Sequence, residues 1–136
     1  MQMTPHLGFN GQCEAAFKFY EQVLGGKLLM MMKYGDSPMA AQTAPEFRDK
    51  VMHARLAVGE QLLMGADAPP QMYEPMKGIA VTLSVNTPAE ADRIFGSLAQ
   101  DGTVRMPIQE TFWAHRFGMV TDRFGTPWLI NCERPT

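Results

Sequence analysis

Three histidines, His6, His53 and His115, are the side chains best suited to proton transfer or metal binding near neutral pH. Three imidazoles around one open position would suit zinc or iron, provided the fold brings them together. His53 and His115 are candidate catalytic groups, and Glu110 is a third. Placed among apolar neighbours, Glu110 would hold its proton more tightly and act as acid or base. On a solvated strand edge, the plainer expectation, it would do neither. Arg55, two residues after His53, is suited to binding a carboxylate or phosphate, or to pairing with an acid of the chain itself. Trp113 could stack on a planar ligand, whereas Trp128 alternates with Ile130 and Cys132 and belongs to a core face. Cys13 and Cys132 lie far apart without a CxxC pairing, so buried thiols are expected rather than a disulfide or a zinc knuckle.

The elements that must position these groups follow from a repeat. Shifting the chain by 76 residues lays Leu7, Asn10, Glu14, Ala15, Phe19 and Gly26 on Leu83, Asn86, Glu90, Ala91, Phe95 and Gly102. Each copy reads as a strand, a polar corner, an amphipathic helix and a glycine exit. In the first, Cys13, Ala16, Phe17, Tyr20, Val23 and Leu24 form an apolar stripe ending at Gly25-Gly26. In the second, Thr87, Pro88 and Glu90 make a capping box, and Ala91, Ile94, Phe95, Leu98 and Ala99 form the stripe.

Strand patterns follow each helix: Lys27 to Tyr34, Val51 to Val58 and Gln61 to Ala66, then Thr103 to Phe112, Ala114 to Asp122 and Pro127 to Cys132. The 136 residues therefore predict an α+β fold, a single domain of two βαβββ modules (1–68 and 79–136) with curved mixed sheets around a cleft. Asp67 to Gly78, rich in proline, reads as the linker. The 35–50 segment is long and irregular, a candidate cover for the cleft.

Alternation assigns the faces. Pro5, Leu7 and Phe9, then Met52, Ala54, Leu56 and Val58, then Ile79, Val81, Leu83 and Val85 should pack under the helices. Thr4, His6, Gly8, His53, Arg55, Ala80, Thr82 and Ser84 are left for the cleft. A second offset of 62 residues superposes His53 and Val58 on His115 and Val120, which would place all three histidines at one cleft and imply a 14-residue insertion in the first module.

Twelve Lys and Arg against fourteen Asp and Glu give a net charge of −2, with no basic block to attract nucleic acid. No stretch is long and apolar enough to span a membrane and nothing at the start reads as a signal peptide, so a cytoplasmic protein is expected. Twelve methionines could fill a core or line a tolerant pocket.

Ala16 to Gly25 (AFKFYEQVLG), Val51 to Ala57 (VMHARLA) and above all Gln109 to Asn131 (QETFWAHRFGMVTDRFGTPWLIN) resemble the vicinal oxygen chelate superfamily of glyoxalases, dioxygenases and bleomycin-resistance proteins. The last run is specific to its PhnB-like branch, some members of which carry a demethylubiquinone methyltransferase label. The resemblance implies the glyoxalase-like fold, a homodimer and a small-molecule ligand. Metal-dependent members place His or Glu on the first, fourth, fifth and eighth strands. Here those places fall on Thr4 or Pro5, Met64, Ala80 and Leu129, none of them an expected ligand. No cofactor is therefore expected, a divalent ion on displaced histidines being the alternative. The candidate ligand-binding set is His6, His53, Arg55, Met64, Trp113 and His115.

Binding and transformation of a small molecule both remain open at this point, beside drug-type sequestration and a metal-dependent lyase or isomerase. Methyl transfer carries little weight. No glycine-rich strand-to-helix turn followed by an acidic residue offers a site for a nucleotide-type cofactor.

Overall fold

The computed structural model describes residues 1–134 and forms two compact units, the first Met1–Pro75 and the second from Met76 onward. Residues 135 and 136, the end of the expected second module, lie outside the described residues. The first unit contains β1 (His6–Phe9), α1 (Cys13–Leu24), β2 (Lys27–Lys33), β3 (Val51–Val58) and β4 (Gln61–Asp67). The second contains β5 (Val81–Val85), α2 (Pro88–Ala99), β6 (Thr103–Gln109), β7 (Ala114–Thr121) and β8 (Pro127–Glu133). Each makes a four-stranded mixed sheet, ordered β1-β4-β3-β2 and β5-β8-β7-β6, with the first strand parallel to the last and every other pair antiparallel.

One helix covers one face of each sheet. In α1 the buried residues Cys13, Ala16, Phe17, Tyr20 and Val23 recur at helical spacing, and Phe9, Phe17 and Tyr20 form an aromatic chain with centroids 6.1 and 5.8 Å apart. In α2 they are Ala91, Ile94, Phe95 and Leu98. Facing them are Leu7, Phe9, Ala54, Leu56, Leu63, Val120, Trp128, Ile130 and Cys132, all buried. Glycines let the layers close: a Cβ on Gly65 would lie 2.6 Å from the Phe17 ring, and one on Gly118 2.7 Å from the Phe95 ring.

Several boundaries and faces depart from expectation. Pro5 is exposed because it precedes β1, although its carbonyl accepts from Met64 N at 3.0 Å. Ile79 is 64% exposed, since β5 begins only at Val81. Val51 is buried in place of Met52, and Val58 is half-buried. Asp67 ends β4 as a buried residue rather than opening the linker.

The repeat is real but its offset drifts. Leu7 and Leu83 pair with Gly65 and Ile130, and these in turn with Ala54 and Gly118, so the offset is 76 in the first strands, 65 in the last and 64 in β3 and β7. His53 therefore corresponds to Phe117 rather than His115, and the first module's insertion is 12 residues, not 14. The buried Ala16 and Tyr20, not Ala15 and Phe19, match Ala91 and Phe95. Three residues, Asn10 to Gln12, lead into α1 and two, Asn86 and Thr87, into α2; the extra position accommodates Gly11 at φ 91°. Two residues leave α1 and three leave α2, which restores the register at Gly26 and Gly102. A Cβ on either would come within 2.6 Å of a strand carbonyl, Ala57 O or Thr121 O.

The inserted 35–50 segment is not a shapeless flap. It holds three single-turn 3-10 helices and closes on itself at its neck, where Tyr34 N and Gly35 N donate to Lys50 O and Arg48 O at 2.9 and 2.8 Å.

Candidate functional site

Each sheet has a second face with no helix of its own module on it, and strand register fixes who shares it. In the first module one transverse row runs His6, Met64, Arg55, Met30, and the next contains Gly8, Ala66, His53 and Met32. These residues alternate with the buried Leu7, Gly65 and Ala54, so they point away from α1. Adjacent strands lie about 4.8 Å apart, which puts His6 and Arg55 about 10 Å apart with Met64 between them. In the second module the rows are Thr82, Leu129, Met119, Met106 and Ser84, Asn131, Phe117, Gln109.

Polar satisfaction separates the two faces of each sheet. On the helix side the two buried carboxylates are engaged. Asp67, 1% exposed, accepts from Cys13 N through Oδ1 and Val51 N through Oδ2, both at 2.9 Å, while Tyr34 donates its hydroxyl to Asp67 O at 2.9 Å. Asp122, also buried, accepts from Phe124 N and Thr126 N through Oδ1, and from Trp128 Nε1 through Oδ2 at 2.8 Å. On the helix-free faces the reverse holds. Arg55 Nε, Asn131 Oδ1 and Thr121 Oγ1 are buried with no hydrogen-bond partner among the described residues, and all three belong to those faces.

The sequence candidates distribute as follows. His6, His53, Arg55 and Met64 share the first module's helix-free face. Trp113, 47% exposed, stands just before β7 with its ring 4.8 Å from Phe112 and 5.4 Å from Phe117. His115 sits at the register irregularity between Ala114 and Arg116. Glu110 lies exposed in the β6–β7 connection, 3.4 Å from the Arg134 guanidinium, which also donates to Thr111 O. It is solvent-exposed rather than set among apolar neighbours. Asn131, Thr121 and Phe117 were not singled out from sequence. The signal was present in β8, where Asn131 alternates with the core residues Ile130 and Cys132.

Cys13 opens α1, a position where a helix N-terminus ordinarily favours a thiolate. Burial pushes its thiol well up instead, helped by the Asp67 carboxylate and then Glu14. It is a core residue rather than a nucleophile. The Tyr34 hydroxyl is likewise raised, first by burial and then by Asp67.

The divalent ion of related metalloenzymes does not fit these residues. The thioether of Met64 and the hydrocarbon of Leu129 offer nothing to a hard cation, and their strand neighbours are His6 and Thr82. Among the described residues no group of three or more His, Cys, Asp or Glu is placed to hold a metal ion. His6, His53 and His115 form no such group among the described residues.

Two mixed sheets of βαβββ topology, each with one helix, define a glyoxalase-like protein, and solved members of the glyoxalase/bleomycin resistance protein/dioxygenase family share this fold. A family model described as 3-demethylubiquinone-9 3-methyltransferase matches residues 1–131. The chain belongs to that family. It is 37% identical to Protein YjdN of Escherichia coli strain K12 over 146 aligned positions, covering 100% of this chain and 99% of the relative. The crystal structure of PA1353 from Pseudomonas aeruginosa superposes with a TM-score of 0.91 at 48% identity, over 99% of both chains. A PhnB protein from Bacillus cereus superposes at 0.82 with 24% identity, over 97% of this chain and 99% of that one, a likeness of fold.

Proposed function

We propose that this chain binds a small molecule on the helix-free faces of its sheets, without a divalent ion at the strand positions its metalloenzyme relatives use. One observation carries the reading. The buried polar atoms left without partners lie on those faces, among thioether and aromatic side chains, as in a pocket that awaits a ligand's own donors and acceptors. Binding rather than chemistry is favoured because Glu110, the candidate acid or base, is solvated and ion-paired with Arg134. The methyltransferase description finds no support in the geometry. Each sheet has a single parallel pair, and neither β1 nor β5 leads through a glycine-rich phosphate turn into its helix. The ligand-bearing form is read as a homodimer, as the family resemblance implies.

Methyl-labelled methionine makes this testable, since Met30, Met32, Met64, Met106 and Met119 lie on the faces in question. Titrating a fragment library into the full chain should move these methyl resonances saturably, while Met1 and Met3, which are exposed outside the sheets, stay still. Shifts confined to other residues would overturn the assignment. Light scattering of the same sample should return twice the chain mass.

A further inference from the structure

We propose that the ligand of the first module carries an oxyanion, carboxylate or phosphate, and that Arg55 is its anchor. This rests on the reading that the helix-free face is a binding surface, and adds the chemistry of what binds there.

A guanidinium keeps its charge at any physiological pH, so an Arg withdrawn from water must find an acceptor or cost stability. Arg55 is half-buried, and its Nε, the nitrogen withdrawn from water, has found none. Nor does any ion pair among the described residues involve Arg55: Lys18 and Lys33 pair with Glu14, Arg116 with Asp92 and Arg134 with Glu110. The reason lies in the face itself. Across the sheet Arg55 is flanked by Met64 and Met30, and the next row holds His53 and Ala66. The one carboxylate in these strands, Asp67, alternates to the other side and is spent on Cys13 N and Val51 N. The face therefore combines a fixed positive charge, two imidazoles at His6 and His53, adaptable thioethers and no negative charge. A neutral apolar ligand would leave Arg55 unpaired. An anion with an apolar body would pair the guanidinium and cover the methionines at once, which is the mixture of contacts that orients small ligands. Thr82, Leu129, Met119 and Met106, the corresponding row of the second module, contain no charge, so the feature belongs to one module only.

Benzoate, phenyl phosphate and benzyl alcohol, titrated separately into the full chain labelled with ¹⁵N and methionine methyl ¹³C, test this. At least one of the two anions should shift the Arg55 Nε–H resonance together with the Met30 and Met64 methyls, and bind about tenfold to a hundredfold more tightly than benzyl alcohol. Which anion does so separates carboxylate from phosphate ligands. Arg55→Gln should abolish that advantage. Arg55→Lys, which keeps the charge but not the fork, should retain part of it, and guards against a Gln variant that fails to fold. If benzyl alcohol moves the same methyls as tightly as either anion, or if Arg55→Gln leaves the preference intact, the oxyanion assignment fails while the binding face stands. If none of the three probes moves those methyls, the oxyanion assignment fails on its own terms; the fragment titration described above then decides whether the face itself survives.

Discussion

The two modules solve the same structural problem at the entry to their helices with different atoms. α2 begins with Thr87, whose hydroxyl accepts from Glu90 N at 3.1 Å, and with Pro88 at the first helical position, which has no N–H to satisfy. α1 begins with Gln12, which makes no side-chain cap, and with Cys13, whose buried N–H needs an acceptor. Asp67 supplies it from the end of β4, 54 residues away, and with its other oxygen takes Val51 N at the start of β3. Register places Cys132 where Asp67 stands, and the helix position matching Cys13 is Pro88, which has no N–H to offer a carboxylate. At the start of β7, Ala114 N instead donates to the nearby Thr111 hydroxyl at 3.1 Å. One module is closed by local capping, the other by a single long-range charge.

Exchanging the two solutions should give the largest effect. Cys132→Asp would bury a carboxylate without a donor and destabilise the chain by about 3–5 kcal/mol in urea denaturation. Adding Pro88→Ala restores an N–H at the first helical position and should recover about 1–2 kcal/mol of that loss, a coupling read from the double-mutant cycle. Additive losses would show that the two corners are not equivalent.

Removing the long-range charge comes next. Asp67→Ala leaves Cys13 N and Val51 N without their acceptor and should cost about 3 kcal/mol, with amide protection lost first in α1 and β3. Asp67→Asn keeps one acceptor oxygen and should cost less. Asp122→Asn should be milder still, about 1–2 kcal/mol, since Oδ1 keeps both backbone donors while the Trp128 bond to Oδ2 is lost.

How much of this was legible in the sequence depends on the range of the interaction. The helix stripes, the βαβββ order and the opposite faces of His53 and Ala54 follow from periodicity alone, because a buried stripe must repeat at 3.6 residues and a strand face at two. Thr87, Pro88 and Glu90 announced their helix because the cap is local. Asp67 announced nothing and read as the start of a linker; its partners are brought to it only by the fold. The one-residue slip of α1 was hidden by the identities at Ala15 and Phe19, which a strict offset rewards although neither residue is buried. The pairing of His53 with His115 failed for a related reason, since two identities cannot outweigh a strand register that places Phe117 there. At the site, the face of Arg55 was readable, but its lack of an internal carboxylate was not.

The comparison also predicts where alkali acts first. Cys13 and Tyr34, both beside Asp67, have their proton affinities raised in the folded chain, so the unfolded chain loses these protons first. Their stabilising contribution is complete below the ordinary values, 9.0 for the thiol and 10.0 for the phenol, and is lost as pH climbs beyond them. Urea midpoints should be level from pH 7 to 8.5 and then fall. Cys13→Ala should flatten the decline that begins near 9, and Tyr34→Phe the part beyond 10. An identical decline in both variants would move the effect out of the first module.

The smallest effect belongs to the local cap. Thr87→Ala removes one hydrogen bond at an exposed helix end, where water can replace the lost acceptor, and should cost about 1 kcal/mol. Thr87→Ser, which keeps the oxygen, should recover most of it. Because the bond is exposed and serves only α2, the loss should be additive with Asp67→Ala. A coupling above about 0.5 kcal/mol between these substitutions would show that the two helix entries are not energetically independent.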